Sequence, residues 1–147
     1  MPQAPAAPYH GAMTASPSTN PLHYLLPTML VVVGLIHLLP VSGLLGSAQL
    51  AKLYGVAFTE PNTAILMRHR AVLFGLLGVF LVVAAFRPAL QAAALVAGFV
   101  SVASFLWLAW SVGGYNDALG RVAVADGVAL LCLAVGGAAW LFLDSRC

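Results

Sequence analysis

The chain has 147 residues, of which 62% are apolar and 7% are charged. A water-soluble domain carries about 25% charged residues, so this composition excludes a soluble globular protein and indicates one that is surrounded by lipid. The net charge of +2 and the lack of any Lys/Arg run exclude nucleic acid as a partner. At roughly 20 apolar residues for each crossing of the bilayer, the chain is long enough for four membrane-spanning helices.

The amino-terminal part predicts a tail followed by the first span. Residues 1–21 are rich in Pro, Ala, Ser and Thr, so a disordered N-terminal tail is predicted there because the segment has little to bury. The first span is predicted at about residues 22–39. Pro27 lies near its entry and Pro40 lies at its end, and both are tolerated where neighbouring helices satisfy the freed carbonyl groups.

The connection after the first span is the longest in the chain. Within it, Leu50, Leu53 and Tyr54 share one side of a helix, whereas Lys52 lies elsewhere. This pattern is typical of a short amphipathic helix that lies in the membrane interface or dips into it. We therefore predict a partly embedded amphipathic loop between helices 1 and 2.

Three more spans are predicted, at about residues 64–86, 89–112 and 122–143, followed by a polar end at 144–147. Asn62 or Thr63 is the expected N-cap of the second span. Small residues that allow close helix packing in lipid are Gly75, Gly78, Gly127, Gly136 and Gly137. The predicted fold is an all-α, integral membrane four-helix bundle, residues 22–143, with up-down topology.

The few polar residues within the spans are the candidate functional residues, because burying such groups in a membrane is costly. The candidates are His37 in the first span, Arg68, His69 and Arg70 in the second, Ser101 and Ser104 in the third, and Asp126 in the fourth. At 1.5 Å per residue, Arg68 and Asp126 are expected about 6 Å inside their helices. The polar residues are therefore expected to gather at one end of the bundle.

An ion pair between Asp126 and Arg70 is the predicted centre of a charged pocket, because a guanidinium keeps a buried carboxylate ionised. Arg68 is about 200° from Arg70 around the helix and is expected to snorkel to the headgroups. His37, Arg68 and Ser104 are expected to line the pocket. Structural alternatives stay open: the arginines as interfacial anchors, Asp126 as a packing partner, and His37 as an interhelical hydrogen bonder.

Metal binding is not expected. His37 and His69 have no HxxxH spacing and no third ligand nearby, and the two cysteines form no CxxC motif. No cofactor is therefore predicted from the sequence.

A family resemblance is carried by four segments, which are Gly34-Leu35-Ile36-His37-Leu38-Leu39-Pro40, Leu53-Tyr54-Gly55, Met67-Arg68-His69-Arg70 and Leu73-Phe74-Gly75-Leu76-Leu77-Gly78. Over roughly residues 28–143 the chain resembles the DoxX-like group of small bacterial membrane proteins. That resemblance implies four helices, a partly embedded first loop and an arginine that opens the second helix. It also implies a bacterial inner membrane location, and some members are linked to redox or sulfur metabolism and to quinone-associated complexes.

Chains similar to this one are sometimes labelled phosphopantetheine adenylyltransferase. Such an enzyme has a soluble nucleotide-binding α/β fold with a His-x-Gly-His motif. His10-Gly11 lacks the second histidine, and the chain shows no strand–helix alternation. The sequence does not support that activity.

The leading hypothesis is a membrane protein without enzymatic activity that binds a small hydrophobic ligand, a lipid or a partner subunit at the charged pocket. The alternative is a redox accessory subunit or quinone-linked enzyme in which His37 donates a proton. A proton-coupled carrier is a third hypothesis, but it needs polar steps through the apolar half of the bundle. Counting Lys52, Arg68, Arg70 and Arg121 against Arg87 and Arg146 favours termini outside the cytoplasm.

Overall fold

The chain folds into five α-helices and one 3₁₀ segment in a computed structural model that describes residues 22–145. In chain order these are α1 (Leu22–Leu38), the 3₁₀ segment (Leu39–Leu45), α2 (Ser47–Tyr54), α3 (Pro61–Ala85), α4 (Pro88–Val112) and α5 (Asp117–Asp144). The described residues contain no β-strand, so the all-α prediction is confirmed. The disordered tail predicted for residues 1–21 lies outside the described residues, as do the last two residues of the predicted polar end.

Four stretches of this structure are long and apolar enough to cross a membrane. They are Leu22–Leu45, Pro61–Ala85, Pro88–Val112 and Asp117–Leu143. Each exceeds the roughly 20 residues that one crossing needs, and most of their side chains are not buried against protein. The length and composition of these helices agree with the predicted four-helix membrane bundle.

The four long helices form a ring in which α1 packs against α3 and α5, and α4 packs against the same two helices. The diagonals of the bundle are therefore α1–α4 and α3–α5. A single apolar core fills the interior, and its fully buried members include Leu30, Val33, Leu81, Val102 and Leu133. In lipid, where the hydrophobic effect between helices is weak, such packing contacts hold the bundle together.

The start of α3 is fixed by Glu60, which precedes Pro61 in the first helical position. The Glu60 carboxylate accepts hydrogen bonds from the backbone N–H groups of Asn62 at 2.9 Å and Thr63 at 2.6 Å. The expectation that Asn62 or Thr63 is the cap is therefore wrong. The backbone N–H groups of these two residues are among those that have no partner within the helix. The carboxylate of the preceding residue, Glu60, accepts a hydrogen bond from each of them.

The last helix begins earlier than its apolar run. We expected a start near Val122, but α5 starts at Asp117, and the side chain of Asn116 caps it by accepting a hydrogen bond from the Leu119 N–H at 2.9 Å. Asp126 consequently lies nine residues along α5, or about 13 Å from its start. It is deeper in the helix than the sequence indicated.

The short helix α2 packs onto the end of the bundle where the polar residues lie. Its residues Leu50 and Tyr54 are buried and Lys52 is exposed, as its amphipathic pattern predicts. It ends at Gly55, which has a left-handed φ of 67°, a conformation that favours glycine. The amide of Asn116 donates to the Tyr54 carbonyl at 2.9 Å, so one side chain both caps α5 and anchors α2.

Helices α1 and α3 approach most closely where two glycines face each other. A Cβ atom at Gly78 would lie 2.8 Å from the carbonyl oxygen of Gly34, and one at Gly34 would lie 2.9 Å from the carbonyl oxygen of Gly78. The expected packing role of small residues also applies to Gly136, which lies against Met29 of α1. It does not apply to Gly127, where an added Cβ would meet nothing within 4 Å.

We expect Gly78→Ala to lower the free energy of unfolding by about 1–3 kcal/mol, because the new methyl group forces two backbones apart. Gly127→Ala is the matched control, since it makes the same change in the middle of a helix where space is open. That control should leave stability unchanged or raise it by about 0.5–1 kcal/mol. Thermal unfolding of both variants in the same detergent measures the difference. Equal stability of the two variants would contradict the close α1–α3 contact.

The hydrogen bonds from Asn62 and Thr63 lower the pKa of the exposed Glu60 carboxyl below its ordinary value. An acid with a lowered folded-state pKa stabilises the fold above its ordinary pKa of about 4.3, and this contribution is lost as the pH falls through the lowered value. We expect the wild type to lose more thermal stability on acidification than Glu60→Gln. A constant difference between the two melting temperatures from neutral pH to well below the ordinary pKa of about 4.3 would refute this role of the ionised cap.

Candidate functional site

Two adjoining cavities lie at the end of the bundle that α2 covers. The smaller one, about 320 Å³, has six polar lining residues and is called the polar cavity; these residues are His37, Lys52, Tyr54, Arg70, Arg121 and Asp126. The larger one, about 630 Å³, lies along α3, α4 and the start of α5, and its lining is mainly apolar, so it is called the apolar cavity. Arg70 and Phe74 line both cavities and so stand at their junction.

Arg70 is held by aromatic rings rather than by a carboxylate. Its guanidinium carbon lies over Phe74 at 4.9 Å, over Phe105 at 5.5 Å and over Tyr54 at 5.9 Å from the ring centroids. Such cation–π contacts are most favourable where water is excluded. Within residues 22–145, no protein acceptor takes a hydrogen bond from its N–H groups. The five guanidinium donors therefore remain available to a molecule in either cavity.

Asp126 is 8% exposed and lines the polar cavity. Among the described residues, its carboxylate has neither a hydrogen-bond partner nor a cation within 4.0 Å. The predicted direct ion pair with Arg70 is therefore not formed. The Arg70 guanidinium lies instead over the rings of Phe74, Phe105 and Tyr54. The two charges line the same cavity without direct contact.

His37 is 2% exposed and connects the other diagonal. Its Nδ1 donates to the Val33 carbonyl at 2.9 Å, and its Nε2 lies 3.2 Å from the Ser101 hydroxyl of α4. Since a carbonyl only accepts, Nδ1 carries a proton and donates it, while Nε2 shares a hydrogen bond with the Ser101 hydroxyl. Both ring nitrogens are thus occupied by protein groups. This geometry favours the structural alternative, in which His37 is an interhelical hydrogen bonder.

The two remaining predicted site residues, Arg68 and Ser104, do not line the polar cavity. Arg68 is exposed and lines neither the polar nor the apolar cavity, so the expectation that it lines the pocket is wrong, because it lies on the outward side of α3. Ser104 is also exposed, lines the apolar cavity, and donates its hydroxyl to the Ser101 carbonyl at 2.9 Å. The structure therefore brings Arg70, Asp126 and His37 together around the polar cavity, leaves Ser104 at the apolar one and places Arg68 outside.

Tyr54 is the site residue that the sequence reasoning did not select. It is 7% exposed, lines the polar cavity, and its hydroxyl has no hydrogen-bond partner in the described part of the chain. Burial raises the pKa of the Tyr54 phenol above its ordinary value, so the hydroxyl stays neutral and able to donate. The signal in the sequence that could have identified Tyr54 was its place on the apolar side of the amphipathic helix α2.

Gln91 is a second residue that was missed, at the opposite end of the bundle. It is 8% exposed and lines a separate cavity of about 390 Å³ together with Trp140. The signal in the sequence was a single amide within the otherwise apolar first turns of α4. The polar end is therefore not the sole place where a polar side chain is buried.

The site suits binding better than metal chemistry. Within residues 22–145, no three His, Cys, Asp or Glu side chains come together as metal ligands. Apart from the exposed Lys52 and Arg121, the groups that face the polar cavity without partners among the described residues are a guanidinium, a phenol and a carboxylate. Together they can hold a molecule that accepts hydrogen bonds at one point and donates at another.

Comparisons of the chain with protein-family models, with curated proteins and with solved structures found no significant match. The resemblance to the DoxX-like group therefore stays a prediction.

We expect Ser101→Ala to lower the free energy of unfolding by about 1–2 kcal/mol, because it leaves a buried His37 nitrogen without its partner. Ser104→Ala is the matched control on the same helix, since its hydroxyl bonds only to a carbonyl of its own helix. The control should change stability by less than about 0.5 kcal/mol. Unfolding in detergent distinguishes the variants, and equal losses would contradict a structural His37–Ser101 link.

Proposed function

We propose that this chain is an integral membrane protein that binds a small ligand in the joined polar and apolar cavities. One observation carries the proposal: Tyr54, Arg70 and Asp126 line a single cavity without hydrogen-bond partners among the described residues. The polar atoms of these three side chains are accessible from the cavity, so they can bond to a molecule inside it. Three such groups around one space support a ligand that bonds to all of them.

The size and lining of the two cavities support a small molecule. Ligand pockets in proteins span roughly 300–1,000 Å³ and combine apolar walls with a few converging polar groups. The polar cavity of about 320 Å³ and the apolar cavity of about 630 Å³ fit that description. A partner subunit is a weaker proposal, because Tyr54 and Asp126 line the cavity and present little of their side chains to the outer surface of the bundle.

The redox alternative has less support from the geometry. It requires His37 to donate a proton to a quinone-like substrate, yet both of its ring nitrogens are hydrogen bonded to protein groups. A bacterial inner membrane location, with the termini outside, belongs to the proposal and rests on the sequence alone.

We expect Tyr54→Phe to weaken ligand retention by roughly tenfold, the worth of one hydrogen bond of about 1.4 kcal/mol. The same change should not lower the thermal stability of the ligand-free protein, because it removes a hydroxyl that has no protein partner. Native mass spectrometry of the mildly solubilised protein, with detergent exchange, measures retention. The wild type should keep one small molecule per chain.

Tyr24→Phe is the matched control, because Tyr24 is 62% exposed and lies near the start of α1. It should retain the ligand as the wild type does. If the wild type retains no small molecule under any mild condition, the proposal fails. It also fails if the protein is stable only as part of a complex with another subunit on native gels.

A further inference from the structure

We propose that the ligand is an amphiphile whose head combines an anionic oxygen group with a hydrogen-bond donor. The head would lie in the polar cavity between Arg70 and Asp126, and the apolar body would lie in the neighbouring cavity along α3 and α4. This inference rests on the proposed function, because it specifies the chemistry of the molecule bound at that same site.

The anionic group is inferred from the charges around the polar cavity. Lys52, Arg70 and Arg121 line it, against the single carboxylate of Asp126, so the lining has an excess of positive charge. Arg70 is positioned by three aromatic rings and not by an acid. A guanidinium with unoccupied N–H groups binds carboxylate or phosphate oxygens strongly, through paired and charge-assisted hydrogen bonds.

The donor group is inferred from Asp126. Its carboxylate is 8% exposed and has no protein donor among the described residues, while Arg70 is on the diagonally opposite helix. An anion that only accepts would satisfy Arg70 and would leave the carboxylate facing another negative charge. An ammonium or hydroxyl group on the same head would satisfy Asp126. A fatty acid has no such donor, whereas a phosphodiester with an amino or hydroxyl head group has both features.

The apolar body is inferred from the junction between the cavities. Arg70 and Phe74 line both, so a head bound at Arg70 is directly beside the larger space. The walls of that space are mostly aliphatic and aromatic, and they include Leu73, Leu77, Phe105, Leu108 and Val112. Hydrocarbon buried there gains the favourable transfer from water that drives apolar binding. A soluble phosphate would leave the larger cavity empty.

The test uses the full chain, purified in a detergent without phosphate and exchanged until no endogenous ligand is retained. The probes are lysophosphatidylethanolamine, lysophosphatidylglycerol, oleate, glycerophosphoethanolamine and inorganic phosphate, each titrated with binding followed by native mass spectrometry. We expect both lysophospholipids to bind at least about tenfold more tightly than oleate, as one charge-assisted hydrogen bond allows. The two probes without a hydrocarbon chain should bind weakly or not at all.

Two variants locate the head group. Arg70→Gln should weaken lysophospholipid binding by about 10- to 100-fold, whereas Arg68→Gln, the same change two residues away on the exposed side of α3, should not. Asp126→Leu should remove the preference for lysophospholipids over oleate. The melting temperature of each ligand-free variant shows whether it is folded. Asp126→Leu is expected to be at least as stable as the wild type, since it removes a buried charge without a partner.

Three titration results would overturn the inference. These are equal binding of oleate and the lysophospholipids, binding of inorganic phosphate as tight as that of the lipids, and an unchanged lipid preference in a folded Asp126→Leu variant. A retained endogenous molecule without an acidic group would also overturn it, yet the proposed function would stand. If no molecule or probe is retained by the wild type, the proposed function itself fails.

Discussion

A polar side chain inside a membrane bundle must find a partner, because lipid offers none. This protein meets that constraint in three ways. His37 is satisfied by a carbonyl of its own helix and by Ser101 of the diagonal helix. Arg70 lies over the faces of aromatic rings, while its N–H groups have no acceptor among the described residues. Asp126 has no partner among the described residues, and it faces a cavity. This uneven distribution of partners is the observation on which the proposed ligand site rests.

The short helix α2 forms one wall of that cavity. It places Tyr54 and Lys52 in the cavity wall, and it is anchored by Leu50, which is completely buried, and by the Asn116 amide, which donates to the Tyr54 carbonyl. The connection between the first two spans is therefore part of the site and not a passive link. Because Asn116 also caps α5, the position of α2 is coupled to the helix that carries Asp126.

Helical periodicity was sufficient to separate the two arginines of α3. Residues two positions apart point about 200° apart, and the structure indeed places Arg70 at the cavities and Arg68 on the outside. Periodicity could not say which helices are neighbours. The ion pair of Arg70 with Asp126 was predicted from depth and charge alone, and it is not formed because the Arg70 guanidinium lies over aromatic rings of α2, α3 and α4 instead. Hydropathy also could not predict that α5 begins at Asp117, because the first turns of this helix contain polar residues.

The sequence by itself determined the class of this protein, since an apolar, charge-poor composition in four long runs is compatible only with helices that satisfy their own backbone in lipid. It also determined the short list of polar residues from which any site must be built. The tertiary structure decided which of them meet, because contact across a bundle depends on the cyclic order of the helices and on close approaches such as Gly34 against Gly78. These are distances between segments far apart in the chain, and no local pattern of residues contains them.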